Sequence, residues 1–135
     1  MEKLNEILAR QLPHFKNIEP DCSISDALCR MSTYNTEYLI VTDKADNFLG
    51  LITEHDVASK ALFLNKSLTD TRVIDILNTK LPFADAGDTL EQCMTVMKKH
   101  HVKFLPVFSN LEFKGIVSTD DILDEAVSHR SEIFD

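Results

Sequence analysis

Two short stretches of this chain carry the same ordered set of chemically useful residues. Gly50-Leu51-Ile52-Thr53-Glu54-His55-Asp56-Val57 and Gly115-Ile116-Val117-Ser118-Thr119-Asp120-Asp121-Ile122 each run glycine, two aliphatics, a hydroxyl residue, two variable residues, aspartate, aliphatic. An ionised aspartate only accepts hydrogen bonds, and its two oxygens can grip a vicinal diol. A hydroxyl residue three positions earlier, at the start of a helix, stands beside free backbone N–H groups and the positive end of the helix dipole, which suits phosphate. The glycine ahead of it lets backbone approach closely. The same residues have a second reading. Thr53-x-x-Asp56 and Ser118-x-x-Asp121 have the form of a capping box, with aspartate standing in for Glu or Gln. Such a cap contributes about 1 kcal/mol. The spacing alone leaves both readings open.

Lys98-Lys99-His100-His101-Val102-Lys103 is a cationic cluster in an otherwise acidic chain. It could meet a phosphate, and it could equally be the C-terminal turn of a helix, where the dipole favours cations. The five histidines include no i, i+4 ligand pair, so no metal site is expected. Cys22, Cys29 and Cys93 are odd in number and form no CxxC, so a disulfide framework is not expected and a reducing cytoplasm is the default compartment. Cys29 and Cys93 fall in helical apolar stretches and read as small hydrophobes. With no Gly-rich phosphate loop, no metal spacing and no nucleophile placed beside a base, the chain reads as a non-enzyme that requires no cofactor.

The elements that must position these residues form a repeat. Shifted by 66 residues, Ile24, Ala27, Leu28 and Met31 fall on Leu90, Cys93, Met94 and Met97, both sets spaced as one face of an amphipathic helix. Ser23 with Asp26, and Thr89 with Gln92, have the form of opening caps. Tyr38-Leu39-Ile40-Val41 falls on Phe104-Leu105-Pro106-Val107, both short apolar runs suited to strands buried on two faces. Pro106 donates no ladder bond, so it belongs at an edge or a strand end. The second turn is one residue shorter, and after it the two motifs align. Closing helices follow, with apolar faces Val57, Ala58, Ala61, Leu62 and Ile122, Leu123, Ala126, Val127. Weak leading strands are expected at 14–18 and 81–84, and short lead-in helices at 2–11 and 72–77. The unit is strand, helix, strand, strand, helix. The fold class is α+β, two β-α-β-β-α repeats packed pseudo-symmetrically into one module. Repeat one spans 3–63 with its lead-in helix, repeat two spans 72–128, and 64–71 is a polar linker. Each unit of about 60 residues is marginal alone, so the two share a core.

Composition agrees. The chain has 135 residues, 44% of them hydrophobic and 27% charged, with a net charge of −8. Both halves are acidic, which disfavours nucleic acid and anionic membrane as partners. No apolar run approaches the roughly 20 residues that span a bilayer, and the first residues lack the order of a signal peptide.

The duplicated unit with its twin motifs resembles the cystathionine-β-synthase (CBS) domain, and a tandem pair of these is a Bateman module. The resemblance covers about residues 3–128. It implies a regulatory module that binds an adenosine-containing ligand (AMP, ADP, ATP or S-adenosylmethionine) in clefts between the repeats and signals by conformational change. It implies that Asp56 and Asp121 accept from ribose hydroxyls, with Thr53 and Ser118 helping to hold ribose or phosphate. It also implies an adenine wall from the opposite leading strand: His14 and Phe15, near Pro13, for the Ser118/Asp121 cleft, and Lys80 and Leu81, near Thr79, for the Thr53/Asp56 cleft. The family's proline at the end of the leading strand is present as Pro20, but its counterpart is Ala86. Just before the second strand the family often carries phosphate-binding cations, which here are His101 and Lys103. Glu37 stands where Lys103 does, so the second cleft is expected to be the better one. Partners expected from the resemblance are a homodimer mate and, as no catalytic or transport domain is appended, a separate target protein. The alternative is a ligand-free homodimerisation scaffold.

Overall fold

The structure, a computed structural model, describes residues 3–11 and 16–134. In chain order the elements are α1 (Lys3–Gln11), β1 (Asn17–Ile18), α2 (Ile24–Tyr34), β2 (Tyr38–Thr42), β3 (Phe48–Thr53), α3 (Glu54–Val57) continuing as a π-helical turn (Ala58–Leu62), α4 (Val73–Ile76), β4 (Ala84–Asp85), α5 (Leu90–His100), β5 (Phe104–Ser109), β6 (Glu112–Ser118) and α6 (Thr119–Phe134).

The α+β repeat is visible at the level of single residues. Two three-stranded sheets form, ordered β1-β2-β3 and β4-β5-β6. Each has a parallel pair followed by an antiparallel one, and each slips register after the same valine, Val41 and Val107. Opposite those valines stand the motif glycines, Gly50 and Gly115. The helices open as the spacing predicts. Ser23 Oγ accepts from Asp26 N at 3.0 Å, and Thr89 closes a full capping box with Gln92. Both helices end on a left-handed residue, Asn35 and His101, whose N–H returns to the last turn.

Pro106 departs from expectation. It lies inside the central strand β5, not at an edge or end. Its counterpart Ile40 donates its N–H to Lys16 O at 2.8 Å, on the side of the leading strand. In the second sheet that strand begins only at Ala84, opposite Val107. The ladder stops short of Pro106, so the missing donor costs nothing there. The second leading strand is shorter than the expected 81–84, with only Ala84–Asp85 as strand, while in the first Asn17–Ile18 is strand and positions 14 and 15 lie outside the described residues.

The chain divides into two compact units, Phe15–Lys80 and Met1–His14 with Leu81–Asp135. The first core gathers Ile24, Ala27 and Met31 from α2, Leu39 and Val41 from β2, Ile52 from β3, and Val73 and Ile76 from α4. The second gathers Leu4, Ile7 and Leu8 from α1 with Cys93, Met97, Leu105, Val107, Val117 and Ile122. At roughly 1.5–3 kcal/mol per buried aliphatic, each set is a substantial core. Chain order puts α1 with the first repeat and α4 with the second, but the packing crosses them. The linker also belongs to the first core's framework. Thr71 O and Leu68 O accept from Ile24 N and Ser25 N, which satisfies donors that the first turn of α2 cannot pair internally.

The closing helices differ from the expected faces. Val57 and Ala61 are buried, but Leu62 is 53% exposed. In α6 only Ile122 of the four is buried, while Leu123 and Val127 are exposed and Glu125 is buried. The two helices are also built differently. The π-helical turn bonds Phe63 N to Ala58 O at 2.9 Å, five residues back, whereas α6 is α-helical throughout.

Candidate functional site

Each motif crosses from a strand into a helix, so its hydroxyl residue sits at the helix start. Thr53 is the N-cap of α3, and Ser118 ends β6 where α6 begins. Both boxes are closed. Thr53 Oγ1 accepts from Asp56 N at 3.0 Å, and Asp56 Oδ2 accepts from Thr53 N at 3.1 Å and from Thr53 Oγ1 at 2.9 Å. Ser118 Oγ accepts from Asp121 N, and Asp121 Oδ2 accepts from Ser118 N, both at 3.0 Å. The cap role left open by spacing is therefore filled. It uses one carboxylate oxygen of each aspartate and leaves Oδ1 to be placed.

The two Oδ1 atoms have different surroundings. Lys60 Nζ lies 3.6 Å from Asp56 Oδ1 and donates to Ile76 O at 3.4 Å. Among the described residues, Asp121 Oδ1 takes no hydrogen bond or ion pair. One turn on from Asp121 stands the buried Glu125, at the position of Lys60 in the first copy.

The glycines serve two purposes. A Cβ on Gly50 would stand 2.6 Å from Asn78 O and 3.0 Å from Leu77 Cδ1, because Asn78 bridges Leu51 in antiparallel fashion. Gly115 has φ 151°, a conformation that disfavours any side chain.

Residues 37 and 103 are held beside the motifs through their carbonyls. Glu54 N donates to Glu37 O, and Thr119 N donates to Lys103 O, both at 3.0 Å. Each motif helix thus starts against the residue that differs in sign between the copies, and both side chains are exposed. His101 is the left-handed C-cap of α5, with φ 55°, so the cationic cluster does form the end of a helix. Lys80 and Leu81 lie outside β4, in the connection from α4, where Lys80 N donates to Asn78 Oδ1 at 3.1 Å. His14 and Phe15, with Pro13, lie outside the described residues. Sequence reasoning missed Lys60 and the segment 76–78. Lys60 was legible, since an aspartate four residues before a lysine on a helix is a favourable pair. The approach of Asn78 was not, because it joins residues distant in sequence.

Burial and the nearby Asp88 push the Cys93 thiol up to about 11. Among the described residues no group of three His, Cys, Asp or Glu side chains is placed to hold a metal ion, and no helix is long and apolar enough to cross a membrane.

Comparison with known proteins agrees with this geometry. The chain is 29% identical over 106 residues to homoserine O-acetyltransferase of Methanobrevibacter ruminantium, covering 78% of this chain but 21% of that enzyme. It is 23% identical over 114 residues to the CBS domain-containing protein YhcV of Bacillus subtilis, covering 84% of this chain and 80% of the relative. Its fold superposes on a solved CBS-domain protein from Burkholderia ambifaria MC40-6 with TM-score 0.84 and 25% identity, over 91% of this chain and 92% of that one. The sequence profile of the CBS domain matches twice, over residues 9–62 and 73–128. The chain belongs to the CBS domain family, as a tandem pair.

Proposed function

We propose that this CBS pair is a non-catalytic sensor that binds an adenosine-containing ligand, AMP, ADP, ATP or S-adenosylmethionine, and passes a conformational change to a separate target protein. The observation that carries this reading is the second motif. Asp121 keeps one carboxylate oxygen uncommitted among the described residues, and the helix that bears it starts against Lys103. An acceptor for a ribose diol and a cation for phosphate are thereby offered at one helix start. Ser118 would help hold the ribose, and Lys103 and His101 the phosphate. The ligand can drive the change only through different affinities for two states.

Thermal denaturation with each of the four ligands tests the reading. A ligand at 100 times its Kd adds about 2.7 kcal/mol of stability, several degrees in Tm for a chain of this size. Asp121→Ala is expected to abolish the shift. No shift with any ligand at millimolar concentration would sink the reading.

A second reading is a scaffold that pairs as a homodimer without a ligand. The exposed Leu123 and Val127 on α6 favour pairing, and a sensor would use the same homodimer. Dimerisation with no ligand response, measured by sedimentation and melting together, would select the scaffold.

A further inference from the structure

The two motifs share their capping chemistry but differ in what meets the second oxygen of the aspartate. In the first copy Lys60 Nζ stands 3.6 Å from Asp56 Oδ1 and reaches Ile76 O at 3.4 Å. Asp56 Oδ2 already accepts twice from Thr53. Both oxygens of the carboxylate are thus engaged from within the chain, and the Asp56 side chain is only 13% exposed. The segment that Lys60 grips runs directly on to Asn78, which bridges Leu51 and crowds Gly50. In the second copy the position of Lys60 is Glu125, which brings no ammonium to pair with Asp121. The flanking charges are therefore exchanged: Glu37 and Lys60 around the first motif, Lys103 and Glu125 around the second.

We propose that Lys60 is an internal clasp that occupies the diol-accepting oxygen of Asp56, closes the first motif to ligand, and so makes this a one-site module that uses Asp121. The inference rests on the adenosine-ligand reading for its binding consequence, but the clasp itself is a property of the free protein. A ligand at Asp56 must displace one ion pair and one hydrogen bond, which together handicap the first motif by about tenfold.

Calorimetric titration with AMP, ADP, ATP and S-adenosylmethionine, read as sites per chain, is paired with amide hydrogen exchange around Leu51 and Asn78 in the free protein. Wild type is expected to bind one ligand tightly, and Asp121→Ala to lose that site and keep at most binding about tenfold weaker at Asp56. Lys60→Met should open or tighten a second site by about tenfold, also in the Asp121→Ala background, and should speed exchange at Leu51 and Asn78. Lys60→Arg should keep the wild-type pattern. Lys60→Gln replaces Lys60→Met if the latter melts early. Two equal sites in wild type, or unchanged binding and exchange in Lys60→Met, would overturn the clasp and leave the adenosine reading standing. A silent wild type with a binding Lys60→Met would uphold the clasp and reject Asp121 as the ligand site. If no variant binds, faster exchange in Lys60→Met upholds the clasp while the adenosine reading falls, and unchanged exchange ends both.

Discussion

At the scale of single residues, the motif hydroxyls hold helix starts whatever else they do. Ser118→Ala removes the acceptor of Asp121 N and is expected to cost about 1 kcal/mol in urea denaturation, while Ser118→Gly costs only a few tenths. A ligand effect lost in Ser118→Gly, with stability nearly kept, would separate binding from capping. The thiols offer a second check. Cys93 is buried with its pKa raised to about 11, and Cys29 is exposed. At pH 8 a thiol reagent should therefore label Cys29 rapidly and Cys93 only through unfolding. The linkage sign follows from the raised value. The folded state holds the Cys93 proton more tightly than the unfolded chain does. Its contribution is complete below the ordinary thiol range and is lost as pH climbs towards 11. Asp43 has the opposite sign. Hydrogen bonds from Asn47 and then Ala45 lower its pKa, so its contribution is present above the usual carboxylate range and fades as pH falls through the folded value.

At the scale of elements, the connection from α4 to β4 is part of the first motif's wall. Gly50→Ala would drive a methyl to 2.6 Å from Asn78 O, a backbone atom that cannot step aside alone. The expected loss is about 1–3 kcal/mol, read as a lower urea midpoint. Periodicity made much of this level legible. Met31 and Met97 fall inward because a 3.6-residue repeat puts them there, and the twin valines at 41 and 107 pair with the twin glycines. What the sequence hides is contact between distant segments. The depth of Pro106 in β5 depends on how far β4 extends, and the crowding of Gly50 depends on Asn78. The closing helices misled for another reason. Val57 and Ile122 are buried as their spacing requires, but Leu123, Val127 and Leu62 sit on a flank that no described element of their own unit covers, a choice no local pattern encodes.

At the scale of the whole molecule, the repeats are alike in topology and unequal in charge around their motifs. The crossed lead-in helices also set how the cores respond to damage. Leu4 is fully buried among residues of the second core. Leu4→Ala should cost about 2–5 kcal/mol and loosen the second unit first. The measurement is the rate of Cys93 labelling, which should rise well before amides of the first core, such as Leu39, lose protection. Equal loosening of both cores would show that α1 stabilises the molecule as a single block. The same crossing has a consequence during synthesis. Every residue of the first core lies between 15 and 80, so it can close as soon as that stretch has left the ribosome. Leu4, Ile7 and Leu8 are made first, yet their partners Val117 and Ile122 come more than a hundred residues later. At about 5–20 residues per second that is roughly 5–20 s with an apolar helix exposed, an interval in which a nascent-chain chaperone would find its best handle on this protein.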